Sequence, residues 1–468
     1  MNDVKFPVMA PRPEKSSSMF KRLLWARKNL LSVWSEQEYE LKFFQFKILN
    51  KQYVVCNSPE TVKTVFLEEH DNYDKKSPQM RHALEPLLGD GLFVSDGKLW
   101  KERRNYCAPA FNNKLMSGYF DVMVDSSNEL IQEWEQKATL GQVDILNEMA
   151  RLTAKIIGRS IFGDETQDSE VRTIVREFSK YQKNVDQINL ADSLGIPALS
   201  FMKNPYRQYK LKLSTHRIHN VIDTIIERAK TVKEEKFNLV SMFLTGSTGQ
   251  LGKGHACPLS LEAARNESIV MFMAGHETTA NSLSWTWYLL SEYPEVMKKL
   301  QTELDEVLGG REPTLDDIDK LHYTRAVFEE SMRLYPPVPL LSREAREDAE
   351  INGKKITKGA NILVVPWLLH RHKKYWDNPD EFRPERFLPD APQPDKFVYI
   401  PFSVGYRVCL GKRFGLIEGI TCLAMLAQKF TPKLTQPEKV EIECRLTLRP
   451  KKGVPMMLHK REVSLHAS

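Results

Sequence analysis

The spacing of apolar residues predicts a chain that is mostly helical. Helical periodicity prevails from about residue 59 to residue 334, and the longest predicted helix runs from Leu261 to Glu292. Ser260 supplies a side-chain N-cap at its start, and Pro294 closes its end. At about 1.5 Å per residue such a helix is roughly 48 Å long, which is enough to cross a whole domain. Further helices are predicted from Tyr323 to Leu334 and just after Cys409.

Strands are predicted near both ends of the chain, where β-branched and aromatic residues lie between turn residues. The predicted strands are Glu38–Leu49, Lys51–Cys56, Ala349–Ile351, Lys355–Ile356, Asn361–Trp367, Val440–Leu448 and Val454–His459. Asn352-Gly353 is a strong hairpin signal, and the last two strands are expected to form a hairpin around Lys452-Gly453. We therefore expect a mainly α fold with a smaller β part, at about residues 38–56, 343–367 and 440–460.

Proline, serine and charged residues dominate residues 1–18, which are expected to form a loose N-terminal arm. Met19 to Trp34 is basic and amphipathic. It suits a first surface helix, a segment that touches a membrane surface, or an import presequence. Since residues 19–468 contain neither an internal repeat nor a linker, we expect them to form one domain.

Composition excludes several classes of protein. The 67 Lys and Arg residues against 61 Asp and Glu give a net charge of +6, which is too small to indicate nucleic-acid binding. The six cysteines are scattered, which is typical of a reducing compartment. No stretch approaches the roughly 18 apolar residues of a transmembrane anchor. A cytoplasmic protein is expected.

One stretch concentrates candidate chemistry, namely Phe402-Ser403-Val404-Gly405-Tyr406-Arg407-Val408-Cys409-Leu410-Gly411. It is a turn that places a cysteine at the start of a helix, where the helix dipole and unpaired amides favour a thiolate. The two glycines allow the backbone to approach a large flat group, and Arg407 adds positive charge. These features suit a haem iron ligand beside a paired propionate. The alternative is a structural cysteine next to a glycine-rich turn.

The pattern Phe-x-x-Gly-x-Arg-x-Cys-x-Gly resembles the haem-binding loop of the cytochrome P450 family, although Tyr406 stands where the family often has proline. The resemblance implies a long central helix over the haem and the cysteine loop beneath it. It implies haem b (iron protoporphyrin IX) as cofactor, with Cys409 as the thiolate ligand of the iron. The loop residues that it assigns to cofactor binding are Phe402, Gly405, Arg407 and Gly411.

The middle of the long predicted helix reads Ala274-Gly275-His276-Glu277-Thr278-Thr279. An interior glycine costs about 1 kcal/mol relative to alanine, and threonines can bond back to carbonyls, so a distortion is expected. The stretch resembles the oxygen-binding groove of the family. By that resemblance Ala274 and Gly275 leave room at the cofactor. Glu277 and Thr278 are then catalytic residues that relay protons, with O₂ as co-substrate.

Two further motifs resemble those of the family at the haem edge. Trp100 and Arg104 share one helix face, and the resemblance implies that both contact propionates. Arg343 matches a position that pairs a propionate.

A third motif carries charges of both signs. Glu330 and Arg333 lie three residues apart on a predicted helix, and Arg386 follows downstream. The resemblance implies that the three form a buried structural triad that braces the cysteine side of the haem.

The implied activity is a monooxygenase that inserts one oxygen atom of O₂ into a substrate and reduces the other to water. The apolar stretches Leu84–Phe93, Val270–Met273 and Val338–Leu341 are expected to contact the substrate. They favour a hydrophobic molecule such as a fatty acid, terpenoid or other lipid, although any haem pocket needs apolar walls.

Electrons are expected from a separate partner, since only 59 residues follow Cys409. A ferredoxin, a flavodoxin or a flavoprotein reductase would deliver them from NAD(P)H to a monomeric enzyme. A basic docking patch is expected from Lys98, Lys101, Arg103, Lys412 and Arg413. Scattered solvated charges are the alternative interpretation of these residues.

Two rival functions remain open from the sequence. One is a haem-thiolate enzyme that uses peroxide or rearranges a hydroperoxide, although the Glu277-Thr278 pair argues against it. The other is a haem-based gas or redox sensor, although neither an output domain nor a DNA-binding motif is found.

Overall fold

The computed structural model of the chain describes residues 6–14, 21–22, 25–26, 29–137, 141–163, 166–185, 204–231, 239–245 and 259–461. Its helices are α1 (Pro59–Lys63), α2 (Pro78–Leu88), α3 (Gly97–Cys107), α4 (Asn113–Lys137), α5 (Ile145–Phe162), α6 (Asp168–Asn184), α7 (Pro205–Thr231), α8 (Leu239–Thr245), α9 (Leu261–Glu292), α10 (Pro294–Leu308), α11 (His322–Leu334), α12 (Pro366–Leu369) and α13 (Lys412–Lys429). Its strands are β1 (Phe43–Ile48), β2 (Lys51–Cys56), β3 (Lys75–Lys76), β4 (Gln142–Asp144), β5 (Leu341–Glu344), β6 (Ala349–Ile351), β7 (Lys354–Ile356), β8 (Asn361–Val364), β9 (Phe430–Leu434), β10 (Ile442–Cys444), β11 (Leu448–Pro450) and β12 (Pro455–Lys460). The predicted mainly α fold with small sheets is confirmed.

The sheets join distant parts of the chain. The largest has the strand order β1-β2-β8-β5-β3, in which β2 and β8 are parallel and pair Val54 with Ile362. A three-stranded sheet has the order β4-β12-β9, and β6-β7 and β10-β11 form two-stranded sheets. At the β6-β7 turn Asn352 and Gly353 both have positive φ, as the hairpin signal predicts.

The helix α9 is the central element, and its ends agree with the prediction. The Ser260 hydroxyl accepts a hydrogen bond from the Ala263 amide, and Pro294 begins the next helix. Most of its 32 residues are buried because other elements surround it. Gly275 faces α5, since a Cβ atom there would lie 2.7 Å from Cδ1 of Ile157. Within the described part of the chain, none of the helices combines the length and apolarity that a membrane crossing requires.

Three predictions about the strands are wrong in detail. The first strand starts only at Phe43, because Glu36–Tyr39 forms a 3₁₀ turn capped by Ser35. The strand predicted over Asn361–Trp367 ends at Val364, since Pro366 opens α12. The last predicted hairpin does not form: β10 pairs with β11, while β12 pairs with β4 and β9. Local alternation identifies strands but carries no information about their partners.

The expected loose arm differs from the structure over residues 6–14. Ala10 is buried, and the amide of Val8 donates a hydrogen bond to the hydroxyl of Tyr288. Arg12 forms an ion pair with Asp380 at 2.6 Å and lies over the ring of Tyr39. This part of the arm therefore packs on the body. Much of the basic stretch 19–34 lies outside the described residues.

A close contact between α13 and α11 generates a stability prediction. Gly419 faces the ring of Phe328, which is 1% exposed, so a Cβ atom at 419 would collide with it. We expect Gly419→Ala to lower the free energy of unfolding by about 1–3 kcal/mol. Urea unfolding measures the change.

Gly118→Ala is the matched control for this prediction. Gly118 also lies inside a helix, but no described atom lies within 4 Å of the point that a Cβ atom would occupy there. That variant should gain up to about 1 kcal/mol from helix propensity. Equal effects of the two substitutions would contradict the packing argument.

Candidate haem site

The loop that contains Cys409 is a turn closed by backbone hydrogen bonds, and it packs closely against Phe66. The Cys409 amide donates to the carbonyl of Phe402 at 2.9 Å, and the Val408 amide donates to the carbonyl of Gly405 at 3.1 Å. Gly405 has a φ of +74°, and a Cβ atom there would collide with the carbonyl oxygen of Phe66. Glycine is therefore required at 405 by both conformation and space. Glycine is not required in the same way at 411, because a Cβ atom there would lie 3.6 Å from the ring of Phe111, an ordinary van der Waals distance.

Cys409 carries a free thiol that is accessible on one side of the loop. Desolvation by the protein atoms around its other sides raises the pKa of this thiol. The Gly411 amide and the positive charges of Arg104 and Lys412 lower the pKa, but the net direction is upward. A bond to a metal favours the thiolate form of a cysteine.

Trp100 brings two of the predicted arginines together. The guanidinium of Arg407 lies 4.2 Å from its ring centre, and that of Arg104 lies 5.6 Å away. Arg104 donates to the carbonyl of Val408 at 2.8 Å, so its contact is with the cysteine loop. Arg407 pairs with Asp96 at 3.2 Å. α3 and the cysteine loop are therefore joined through these side chains.

Positive charge is in excess beside this contact. Lys76, Arg81, Arg343 and Arg407 surround Asp96, and among these four described residues only Arg81 and Arg407 form ion pairs with its carboxylate. Burial, with Arg407 nearby, lowers the pKa of Arg343 to about 9 and that of Lys76 well below its usual range. Asp74, which pairs with Arg346, also acts on Arg343 and Arg407, so in the described part of the chain five cations of this cluster meet two carboxylates. Such an arrangement fits a ligand that brings its own carboxylates, as the two propionates of haem do.

Lys76, Arg81 and Asp96 were not predicted from the sequence. Lys76 is 7% exposed and lies on the short strand β3, which pairs Lys76 with Arg343 of β5. Because its neighbours in the chain include a second lysine, it looks like an ordinary surface residue. Only the pairing of β3 with β5 brings Lys76 into the charged cluster around Asp96.

In the middle of α9, the residues of the predicted groove divide between two sides. Ala274 is exposed and Thr278 is half-buried, and the Thr278 hydroxyl donates to the Ala274 carbonyl at 2.7 Å. This is the back-bonding that adjacent threonines predict. Gly275 also packs closely on α5, since a Cβ atom there would lie 2.7 Å from Cδ1 of Ile157. The cofactor-binding role that the resemblance implies for Gly275 stays a prediction.

Glu277 is buried and points to parts of the chain that sequence analysis did not associate with it. Its carboxyl oxygens accept hydrogen bonds from Nε2 of Gln182, at 2.9 and 2.7 Å, and from the hydroxyl of Thr447, at 2.9 Å. Burial raises the pKa of Glu277, and these hydrogen bonds oppose the rise. Neither Gln182 nor Thr447 lies in a motif, so no signal in the sequence identifies them.

The predicted charged triad comes together. Arg333 donates to both carboxyl oxygens of Glu330, at 2.6 and 2.7 Å, and Nε of Arg386 lies 3.4 Å from Glu330. Glu330 and Arg333 are both fully buried. Arg333 also donates to the carbonyls of His370 and Pro379, so the triad ties α11 to the segment that follows α12.

The predicted docking patch loses one member. Arg103 is buried and pairs with Asp90 at 3.1 Å and Glu267 at 3.5 Å, because it lies on the inner face of α3. The remaining four residues of the patch are exposed. They are Lys98, Lys101, Lys412 and Arg413.

Comparison with known proteins agrees with this arrangement. The family model "Cytochrome P450" matches residues 11–457. The human protein Cytochrome P450 4V2 is 32% identical over 430 residues, which cover 85% of this chain and 78% of the human protein. The Arabidopsis thaliana protein LUTEIN DEFICIENT 5, chloroplastic, is 30% identical over 88% of this chain and 71% of its own length. The Putative cytochrome P450 132 of Mycobacterium tuberculosis is 27% identical over 89% and 90%.

A solved structure shares the fold. The crystal structure of a cytochrome P450DA mutant heme domain superimposes with a TM-score of 0.80, at 24% identity, over 97% of this chain and 98% of that one. The class is that of the haem-thiolate monooxygenases, and haem is the cofactor. The chain belongs to the cytochrome P450 family.

A buried histidine in the groove motif generates a prediction about acid stability. Neither ring nitrogen of His276 finds a hydrogen-bond partner among the described residues, and burial lowers its pKa from 6.5 to about 4. Below pH 6.5 the unfolded chain binds a proton that the folded chain excludes, so stability falls as the pH drops towards 4. We expect His276→Phe to remove a loss of about 3 kcal/mol between pH 7 and pH 4.

Denaturant unfolding across this pH range measures the effect, and the exposed His459→Asn is the control. The control should keep the acid dependence of the parent. Parallel curves for the parent and His276→Phe would show that His276 does not set the acid limit.

Proposed function

We propose that this chain inserts one oxygen atom of O₂ into a hydrophobic substrate, with Cys409 as the thiolate ligand of the haem iron. When bound, the haem supplies the activation of oxygen. The observation that carries the proposal is the position of the Cys409 loop, which is tied through Arg104 and Trp100 to a buried cluster with excess positive charge. A thiolate and a carboxylate-binding cluster at one place match the two functions that haem retention requires.

The residues around the loop are proposed to hold the cofactor. Arg343, Arg407 and Lys76 would bind propionates, with Trp100 packed beside them. Phe402, Gly405 and Gly411 shape the loop, and Ala274 supplies an accessible small residue on α9. The triad of Glu330, Arg333 and Arg386 is proposed to keep the cysteine side rigid. Breaking a buried pair of this kind typically costs about 3–5 kcal/mol.

Glu277 and Thr278 are proposed to manage protons. The Thr278 hydroxyl, held on the Ala274 carbonyl, can accept a proton at its oxygen while it donates its own. Glu277 is a buried carboxyl in the adjacent position and can supply that proton. The acid and the hydroxyl together favour use of O₂ over the rival use of peroxide.

A hydrophobic substrate is supported by the surroundings of the groove. Val270 and Met273 of α9 are buried apolar residues, and Gly91 packs on Val270 so closely that a Cβ atom would lie 2.7 Å from it. The segment 84–93 thus lies against α9. We propose a fatty acid, terpenoid or other lipid, and a titration of the haem spin state against a panel of such compounds identifies the class.

The electron donor is proposed to be an acidic ferredoxin, flavodoxin or flavoprotein reductase. The exposed Lys98, Lys101, Lys412 and Arg413 lie on α3 and at the start of α13, the two helices that flank the cysteine loop. A reducing compartment such as the cytoplasm is supported by the described cysteines, which all carry free thiols.

Replacement of the proposed iron ligand tests the first proposal. Cys409→Ser should lose the long-wavelength Soret band that the ferrous–CO complex of a thiolate-ligated haem shows, because an alkoxide is a far weaker donor. Cys422→Ser, a buried cysteine in the helix that follows, is the control and should keep the band. An unchanged band in Cys409→Ser, or parent protein that takes up no haem at all, would refute the assignment.

Removal of the groove hydroxyl tests the use of O₂. Thr278→Ala should reduce product per reductant by about tenfold or more and raise peroxide, since proton relays typically contribute 10²–10⁴-fold. Thr286→Ala is a matched control, because its hydroxyl also bonds the carbonyl four residues earlier, at 2.8 Å. A peroxide-using enzyme would keep its peroxide-driven rate in Thr278→Ala, and a sensor would form no product.

Salt tests the docking patch. With an acidic partner, turnover should fall steeply as ionic strength rises, since exposed charges are screened over a Debye length of about 10 Å at 0.1 M. Lys412→Gln with Arg413→Gln should raise the KM for the partner several-fold and flatten the salt dependence. Lys451→Gln with Lys452→Gln, two lysines paired with Glu441, should leave both unchanged. A turnover rate that does not depend on salt would refute the proposed docking patch.

A further inference from the structure

A glycine-rich part of the proposed substrate wall, residues 89–92, lies directly on the first half of α9 and is called the wall segment below. A Cβ atom at Gly91 would lie 2.7 Å from Cγ2 of Val270, and one at Gly89 would collide with the side chain of Asn266. Gly89 also has a φ of +54°, a conformation that favours glycine. Glycine at both positions therefore lets the backbone of the wall segment contact α9.

The carboxyl group of Glu267 anchors the wall segment. The amide of Leu92 donates to both carboxyl oxygens of Glu267, at 3.0 and 3.1 Å. Glu267 lies on α9 and is fully buried. Among the described residues, no backbone carbonyl accepts a hydrogen bond from the Leu92 amide. The position of the Leu92 backbone therefore depends on this one side chain.

The anchor does not depend on the charge of Glu267. Burial raises the pKa of Glu267 to about 7, although the hydrogen bond from the Leu92 amide and the positive charge of Arg103 oppose the rise. Nε of Arg103 lies 3.5 Å from the carboxyl group. A carboxylate and a carboxylic acid both keep an oxygen that accepts from an amide. The Leu92 amide thus has its acceptor in either form.

A second attachment of the wall segment lies closer to solvent. Asp90 accepts a hydrogen bond from Nδ2 of Asn266 at 3.1 Å and pairs with Arg103 of α3 at 3.1 Å. The Asp90 side chain is 51% exposed, so water screens this ion pair and its contribution is small. The buried bond to Glu267 is therefore the stronger of the two attachments.

Both ends of the wall segment are held independently of Glu267. Nε2 of His219 on α7 lies 2.9 Å from the carbonyl oxygen of Leu87, in the last turn of α2. Beyond the segment, Arg407 donates to the carbonyl of Ser95 at 3.1 Å. Loss of the Glu267 bond would therefore free the middle of this loop while α2 and α3 stay in place.

The side chains of α9 under the wall segment lead to the accessible side of the helix. Asn266, Val270, Ala274 and Thr278 follow one another at intervals of four residues, so they share one face. The first two are buried, Ala274 is exposed and Thr278 is half-buried. The edge of the wall segment thus falls between Val270 and Ala274. If the segment lifted, the accessible strip would lengthen by about one helical turn, roughly 5.4 Å.

We propose that Glu267 is a positioning residue that fixes the wall segment on α9 and thereby limits the size of the ligand that fits beside Ala274. The inference rests on the proposed function, since it takes the accessible side of α9 as a wall of the haem pocket. It adds to that function the residue that sets the length of the pocket. A substrate whose apolar part needs the space over Val270 is excluded while the anchor is closed.

Hydrogen–deuterium exchange of the holoprotein tests the anchor. Glu267→Leu should speed exchange in the peptide 88–95 by about tenfold, because the Leu92 amide loses its acceptor. Glu267→Gln should exchange like the parent, since its side-chain oxygen still accepts. Unchanged exchange of this peptide in Glu267→Leu would overturn the proposal.

Glu303→Leu is the matched control for the exchange experiment. Glu303 also accepts from backbone amides, those of Tyr323 and Thr324, but it does so at the start of α11. Its loss should speed exchange there and leave the peptide 88–95 unchanged. Faster exchange of that peptide in Glu303→Leu as well would show a general loosening of the fold and refute a specific anchor.

Imidazoles with apolar substituents of increasing size test the limit on the ligand. These probes bind haem iron and shift the Soret band, so a titration gives each dissociation constant. The ratio of the constants for biphenyl-substituted and methyl-substituted imidazole should fall several-fold in Glu267→Leu and stay at the parent value in Glu267→Gln and Glu303→Leu. The same ratio in Glu267→Leu and the parent, or an equal fall in Glu267→Gln, would refute the size limit.

A second variant reaches the same state by another route. The Cβ atom of Gly91→Ala would push the wall segment off Val270, so the ratio should fall there too, even if Glu267→Leu does not fold. The ferrous–CO spectrum of each variant checks that the fold is retained. Parent protein without a Soret band would refute the proposed function instead, and the exchange experiment would still decide whether Glu267 holds the wall segment.

Discussion

Buried positive charge governs how this fold and its site hold together. Lys76, Arg343 and Arg407 are largely withdrawn from water beside Asp96, with Asp74 as a second carboxylate nearby. Removing a charge from water costs several kcal/mol unless a partner offsets it. An anionic cofactor bound there, as we propose, would offset this cost and so couple the site to the stability of the surrounding elements. The short pairing of β3 with β5 is what brings Lys76 beside Arg343 in this cluster.

The long helix serves packing and chemistry with neighbouring residues. Gly275 admits Ile157, His276 is buried beside the ring of Phe272, and the carbonyl of His276 accepts from Thr153. The other side of the helix, with Ala274, remains accessible. Adjacent residues of one motif therefore differ in role: some pack in the core and others line the accessible side. Their order along the helix follows from the 3.6-residue period, which turns successive side chains to different faces.

Charged and polar side chains act here as ties between distant segments. Glu330 and Arg333 join α11 to the chain beyond α12, and Arg104 joins α3 to the cysteine loop. Glu277 joins α9 to the end of α6 and to Thr447. Each tie is buried or half-buried, where a hydrogen bond to a charged group is worth about 1.5–3 kcal/mol.

Several elements of this protein could be predicted because their signals are local. The ends of α9 follow from Ser260 and Pro294, the β6-β7 turn follows from Asn352-Gly353, and the cysteine loop is recognisable from its own ten residues. Caps, turns and periodicity act over a few residues, so they can be recognised without the fold.

Which elements and side chains contact one another is seen only in the tertiary structure. Folding paired β12 with β4 and β9, turned Gly275 towards Ile157, buried Arg103 and brought Lys76 and Gln182 to the site. Lys76 and Gln182 lie in no recognised motif, and the motifs near Gly275 and Arg103 do not indicate these contacts. Their roles depend on which surfaces meet once the core has formed, and that is a property of long-range packing.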